Sequence, residues 1–327
     1  MKKLFVTLLA ALAVSAQAQQ IAGAGATFPA PVYSKWASEY HKETKVQINY
    51  GPLGSAGGIK QLEANTVSFG ATDDPMSVED LNKRGWHQFP AVIGGVVLVV
   101  NLKGFQPGEI VLDGQTVADI YEGKILNWND PKIAKLNPKL KLPDQPITAV
   151  IRADGSGTTA VFTDYLSQVS KSFKESTGVG KMVSWKLKQV SAGKGNAGVA
   201  AMVQNMNGAI GYVEYAFAKQ GKMTHVAMLN KGKVIQPDDL TFKQATSSAN
   251  WNTPGMAVNL TNKDGWPITA ATFVLVYKEG NAKTQDVLKF FDWAFTKGDK
   301  MAEDLDYVPL PDKVKAQIRA DWAKNIK

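Results

Sequence analysis

An α/β fold is predicted by strand-like apolar runs that alternate with helical stripes along the chain, and by glycine-bearing turns that join the end of a strand to the start of a helix. A third observation sets the scale. Taking an 18-residue leader from the 327 residues leaves 309, beyond the size at which one hydrophobic core stops growing, so about two domains with a cleft between them are expected.

The leader is read from Lys2 and Lys3, the apolar run Leu4 to Val14, and Ala16-Gln17-Ala18. The run is shorter than the ~20 residues a bilayer span needs, so residues 1–18 read as a secretory signal peptide cleaved after Ala18. Beyond it, Val32, Trp36 and Tyr40 recur every fourth position, predicting a helix from Ala30 to Thr44 introduced by Pro29 and Pro31. Lys45 to Tyr50 alternates as a strand; after the turn Gly51-Pro52-Leu53-Gly54-Ser55-Ala56-Gly57-Gly58, a helix is predicted over Ile59 to Asn65 and a buried strand over Val67 to Ala71. Further strands are expected at Val92 to Asn101, Ile147 to Ala153 and Ile268 to Tyr277, and helices at Thr116 to Glu122, Thr158 to Val169, Ala197 to Asn205, Thr284 to Thr296 and Val314 to Ala323. This order argues for mostly parallel sheets covered on both faces. No linker marks a boundary, so a domain built from non-adjacent segments is compatible with the pattern.

Composition narrows the chemistry. The absence of Cys excludes disulfides, thiolate metal sites and a Cys nucleophile. The formal charge of +8 becomes +6 when Lys2 and Lys3 leave, and it is spread along the chain, which gives mild attraction to anions. Basic residues are not gathered on one helix or interleaved with aromatics, so no nucleic-acid partner is expected. His41, His87 and His225 lack metal-ligand spacing, and neither a G-x-S-x-G elbow nor a P-loop is present. We therefore expect no catalytic residues, no metal and no cofactor.

The most informative segment is Val150-Ile151-Arg152-Ala153-Asp154-Gly155-Ser156-Gly157-Thr158-Thr159, a strand, a glycine turn and a helix start. Free N–H groups and the helix dipole make such a place attractive to anions. Ser156 and Thr158 add hydroxyls, and Arg152 a forked cationic donor that Asp154 could hold. The competing reading is a plain helix cap at Asp154 or Ser156. Two further turns, Gly23-Ala24-Gly25-Ala26-Thr27-Phe28-Pro29 and the one carrying Ser55, place a hydroxyl ahead of a helix and are also readable as caps. In Phe69-Gly70-Ala71-Thr72-Asp73-Asp74-Pro75 a carboxylate follows a strand, and either it starts a turn or it faces a ligand that carries a proton. Phosphate keeps such a proton near neutral pH, whereas sulfate does not, so Asp73 would discriminate between them. Gly193-Lys194-Gly195-Asn196-Ala197-Gly198 matches G-x-G-x-x-G, but Glu214 comes early for the acidic partner of a dinucleotide site, so these glycines are expected to shape a loop at the cleft mouth.

Taken together, GAGATFPAPVY, GSAGGIKQL, FGATDDP, RADGSGTT, GAIGYVEYA, WPIT, KFFDWAF and LDYVPLP resemble, in the same order from about Ile21 to the C-terminus, the periplasmic phosphate-binding protein of the phosphate-specific ABC transporter. The resemblance implies a type II periplasmic binding-protein fold, with residues 19–101 and 268–327 forming one lobe and 102–267 the other. It implies phosphate contacts at Thr27, Phe28, Ser55, Asp73, Arg152, Ser156, Gly157 and Thr158, with Phe28 and Gly157 acting through backbone N–H and Asp154 as the partner of Arg152. It also implies a periplasmic, non-enzymatic monomer that hands phosphate to an ABC permease of the inner membrane. One departure is Ala56, where relatives often carry a second serine after the equivalent of Ser55.

Overall fold

The computed structural model describes residues 20–279 and 282–327; the leader and its cleavage point lie outside them. The chain begins β1 (Gln20–Gly25), α1 (Ala30–Thr44), β2 (Gln47–Gly51), α2 (Ser55–Glu63), β3 (Phe69–Thr72), α3 (Val78–Arg84) and β4 (Trp86–Val100). It continues β5 (Val111–Asp113), α4 (Gly114–Tyr121), α5 (Pro131–Leu136), β6 (Thr148–Arg152), α6 (Gly157–Val169), α7 (Lys171–Ser176), β7 (Val190–Gly193), α8 (Gly195–Asn205), β8 (Ala209–Glu214) and α9 (Tyr215–Gln220). It ends β9 (Thr224–His225), β10 (Ala227–Asn230), β11 (Lys233–Ile235), α10 (Asp239–Thr246), β12 (Thr269–Tyr277), α11 (Ala282–Lys297), α12 (Asp299–Glu303) and α13 (Asp312–Asn325). Among the described residues no helix is long and apolar enough to cross a membrane.

The main sheet runs β2-β1-β3-β12-β4-β8-β6-β7, with β9 also on β4, and a small sheet runs β11-β10-β5. Its two wings are parallel: β1 pairs with β2 and β3, and β6 with β7 and β8. Its centre is antiparallel, because β12 opposes β3 and β4, and β4 opposes β8. The expectation of mostly parallel sheets therefore holds for the wings and fails between them.

The reason lies in β4. It spans fifteen residues, all buried, and so lacks the alternation that would have revealed its first half or its direction. Trp86 to Gly95 lie against β12, and Val96 to Val100 against β8. Where the partner changes, Val96 N donates to the Ile268 carbonyl at 2.8 Å, and the Trp266 indole donates to the Val96 carbonyl at 2.8 Å. Both backbone groups are thus satisfied at a point where a ladder break would otherwise strand them.

The helices follow from local chemistry. A proline early in α1 suits a first turn that needs no N–H, its buried face is Val32, Tyr33, Trp36 and Tyr40, and Lys45 ends it in the left-handed region at φ 62°. Two of the aromatic groups in the core flank the site. Tyr33, Tyr50, Phe69 and Phe89 gather around each other and Phe291. Tyr121, Phe162, Trp185 and Tyr212 form the other.

Candidate functional site

The C-terminal ends of β1, β3, β6 and β7 feed loops that meet, as ligand crevices in open α/β sheets do. Ser55 opens α2, but the cap position there is Gly54 and carries no side-chain bond, so Ser55 is not a cap. Its Oγ instead accepts from Gly157 N at 3.1 Å and Asp73 N at 3.4 Å, tying three segments together. Thr27 is not a cap either, since Pro29 holds that position in α1; its Oγ1 accepts from the backbone N (3.1 Å) and Nδ2 (2.7 Å) of Asn196.

Ser156 does cap α6, accepting from Thr159 N at 3.0 Å, which leaves its hydroxyl hydrogen available to a ligand. Thr158 is fully buried one turn position further, and its Oγ1 accepts from Asn196 Nδ2 at 3.4 Å. Phe28 packs edge-to-face on Tyr307, whose hydroxyl lies 2.6 Å from the Phe28 carbonyl and 2.8 Å from Glu214 Oε2.

Close approach across the crevice depends on glycine at two positions. A Cβ on Gly157 would lie 2.6 Å from Ser55 Oγ and 2.7 Å from both Asp73 N and Asp73 Oδ2. At Gly54, φ is +87° and a Cβ would lie 2.2 Å from Asp154 Oδ2. Ala56 N donates to the Gly155 carbonyl at 3.0 Å, and Lys181 pairs with Asp74, so the arrangement is closed.

Arg152 is buried with Nε 2.9 Å from Asp154 Oδ1 and Nη2 2.5 Å from Asp154 Oδ2. Its third nitrogen, Nη1, is buried without a partner. Asp154 also accepts from Gly195 N at 2.8 Å. Burial alone would push the Asp154 carboxyl up, but the hydrogen bond and charge of Arg152 together with the Gly195 N–H carry it below the ordinary carboxylate value.

Asp73 follows β3, and its Oδ1 accepts from the Thr272 hydroxyl at 2.8 Å. Thr272 sits where the β12–β4 register shifts, a bulge that aims its side chain. Asp73 Oδ2 is buried without a partner. Burial pushes the carboxyl up to about 7, against the Thr272 bond and the Arg152 charge, which pull it down. Asp74, not Asp73, makes the local turn bonds to Thr72, with Thr72 Oγ1 2.8 Å from the Asp74 carbonyl and 3.2 Å from Asp74 N. Arg152 Nη1 and Asp73 Oδ2 thus stand as an orphaned donor and an orphaned acceptor among hydroxyls and N–H groups.

A cavity of about 290 Å³ adjoins it, lined by Asp73, Asp74, Pro75, Ala160, Val161 and Thr269 among others. Among the described residues no cluster of three or more His, Cys, Asp or Glu could hold a metal ion. The G-x-G-x-x-G segment does follow a strand and open a helix, but the N–H groups of Gly195 and Asn196 at that helix start are spent on Asp154 and Thr27. Its glycines therefore shape the crevice instead of cradling a dinucleotide. Sequence reading missed Asn196, Thr272 and Lys181; the glycine turn ahead of Asn196 was the only local signal for any of them.

The PBP superfamily domain matches residues 11–297. The chain is 49% identical to the phosphate-binding protein PstS of Pasteurella multocida, over 99% of this chain and 96% of that one. It is 48% identical to PstS of Haemophilus influenzae, over 100% and 99%. Among solved structures, it superposes with a TM-score of 0.74 and 20% identity on a high-affinity periplasmic phosphate-binding protein (PfluDING) bound with phosphate, covering 92% of this chain and 93% of that one. A putative phosphate ABC transporter substrate-binding protein with bound phosphate from Clostridium perfringens gives 0.66 and 18%, covering 90% and 100%. The parallel wings, the antiparallel centre and the crevice between them are those of a type II periplasmic binding-protein fold, and the chain belongs to the PstS phosphate-binding proteins of the PBP superfamily.

Proposed function

We propose that the protein encloses inorganic phosphate between two lobes and delivers it to an ABC permease for import. The observation that carries this reading is the buried pair of unmatched atoms, Arg152 Nη1 and Asp73 Oδ2, in a crevice otherwise rich in donors. A ligand that satisfies both must accept from a guanidinium, which favours an anion, and must also own a hydrogen to give. Phosphate is such a ligand.

The contacts we assign are the hydroxyls of Thr27, Ser55, Ser156 and Thr158, the N–H of Phe28, the guanidinium of Arg152 and the carboxylate of Asp73; the N–H of Gly157 joins them by exchanging its bond to Ser55 Oγ, 3.1 Å away, for one to the ligand. Asp154 orients Arg152. We assign residues 19–101 and 268–327 to one lobe and 102–267 to the other, a division supported by the separate aromatic groups around Phe291 and Tyr212; β4 changes partner earlier, at Gly95 and Val96, so Val96–Val100 run alongside β8 of the second lobe. In this reading the protein acts as a monomer in the periplasm after loss of its leader, and catalyses nothing.

Calorimetric titration of dialysed protein tests the proposal: phosphate is expected to bind with Kd of about 1 μM or tighter, and a large excess of sulfate is expected to leave that unchanged. Equal competition by sulfate overturns the phosphate reading, and turnover of a chromogenic phosphate ester overturns the non-enzymatic one. Gly157→Ala places a methyl against Ser55 and Asp73, so closure must open by a few tenths of an ångström or more. We expect phosphate affinity to fall roughly tenfold or more, with the melting temperature of ligand-free protein little changed.

A further inference from the structure

Asn196, in the first turn of α8, is fully buried. Glu214 N donates to its Oδ1 at 2.9 Å, which fixes the amide the right way round, since a backbone N–H cannot face Nδ2. The two hydrogens of Nδ2 then point to Thr27 Oγ1 at 2.7 Å and Thr158 Oγ1 at 3.4 Å. Its own backbone N takes the other lone pair of Thr27 Oγ1 at 3.1 Å.

A hydroxyl has two lone pairs and one hydrogen. With both lone pairs of Thr27 engaged, that hydroxyl can only donate, and among the described residues no protein acceptor takes its hydrogen. We propose that Asn196 is a positioning residue, which locks the Thr27 hydroxyl as a donor toward the bound anion and does so only when the β1–α1 loop and the start of α8 come together. Each element contributes one half: Thr27 supplies the oxygen, and Asn196 decides which way its hydrogen faces. The same bonds hold the crevice shut, so hydroxyl direction and closure are set by one contact. This rests on the anion reading of the site.

A double-mutant cycle tests it, read by phosphate calorimetry on the mature protein with Asn196→Asp, Asn196→Ala, Thr27→Val and Asn196→Ala/Thr27→Val. In Asn196→Asp a carboxylate oxygen faces Thr27 and captures its hydrogen, so affinity is expected to fall on the order of a hundredfold; Asn196→Ala, which frees the hydroxyl to rotate and leaves Glu214 N without its acceptor, is expected to lose about tenfold. Asn196 acts through Thr27, so the double variant is expected to bind within about twofold of Thr27→Val alone. Losses that multiply in the double variant, or an Asn196→Asp protein that binds like wild type, overturn the proposal. If Asn196→Asp does not fold, the alanine cycle decides alone. Wild type that binds no phosphate sinks the anion reading itself, whereas tight wild-type binding with a multiplicative cycle sinks only the role of Asn196.

Discussion

Asp73→Asn is expected to turn a phosphate-selective protein into one that accepts sulfate, shifting the phosphate-to-sulfate affinity ratio by about a thousandfold. The geometry says why. Thr272 donates to Asp73 Oδ1 at 2.8 Å, and an asparagine keeps its oxygen there, so its amide nitrogen takes the place of the unpaired Oδ2. An acceptor becomes a donor at that one point. Ionised Asp73 confronts sulfate with a lone pair and a negative charge that nothing on sulfate can satisfy, whereas asparagine offers it a hydrogen. Phosphate, able to turn an oxygen instead of its O–H toward the new donor, should lose far less. Competition calorimetry at pH 8 measures both arms, and continued exclusion of sulfate by the variant removes the proton-reading role from Asp73.

The same carboxyl predicts a pH dependence with a definite sign. Its pKa in the folded protein is raised from an ordinary 3.8 to about 7, so the folded state holds the proton more tightly than the unfolded one. That contribution to stability is full below the unfolded value and is lost as pH rises through about 7, by about 4 kcal/mol in all. Glu214, whose carboxyl burial pushes well above the ordinary value, contributes a slope of the same sign, so the readout is the difference between wild type and Asp73→Asn in ligand-free unfolding from pH 4 to 8. Below pH 7 a protonated Asp73 is itself a donor, and wild type at pH 5 should bind sulfate better than wild type at pH 8.

Much of the fold was legible because its elements carry local signatures. The helix at Ala30–Thr44 has a four-residue stripe and a proline start, and the predicted bounds match the observed ones. The helix predicted from Ile59 begins at Ser55, four residues earlier, because Gly57 and Gly58 read as turn while packing lets the helix run through them. Glycine there is a tertiary requirement: a Cβ on Gly58 would lie 2.4 Å from the Gly25 Cα. β1 was invisible because Ala and Gly give it no strand propensity, and its pairing on both sides supplies what the residues do not. At the site, residue types disclosed a donor-rich anion crevice, and Arg152 with Asp154 could be paired from adjacency alone. Asn196 and Thr272 could not, since their importance lies in which distant oxygen they face, 169 residues away for Asn196 to Thr27 and 199 for Thr272 to Asp73.

Arg152→Ala is expected to weaken phosphate binding on the order of a thousandfold, about 4 kcal/mol, more than loss of any single hydroxyl. Two effects act in the same direction. Removing the guanidinium deletes the unpaired Nη1 donor that the site holds ready, and it strips Asp154 of two of its bonds, leaving Gly195 N at 2.8 Å. A partly buried carboxylate without its cation then repels the incoming anion. The sign of the pH response separates the two effects. In wild type Asp154 sits below its ordinary value, so its contribution to stability is present above pH 4 and fades as pH falls through the lowered pKa. Without Arg152 burial is opposed only by the backbone N–H groups of Gly195 and Asp154, so the carboxyl is expected to rise, and the variant should lose stability as pH rises above 4, where this group's contribution in wild type is level. Adding Asp154→Asn to Arg152→Ala removes that penalty, so stability should return at pH 8 while phosphate affinity recovers only in part. Arg152→Lys should fall between, since one ammonium cannot hold both oxygens of Asp154 and also reach the ligand. Calorimetry and thermal unfolding of these three variants at pH 5 and 8 read the outcome, and an Arg152→Ala protein with undiminished affinity places the guanidinium outside the site.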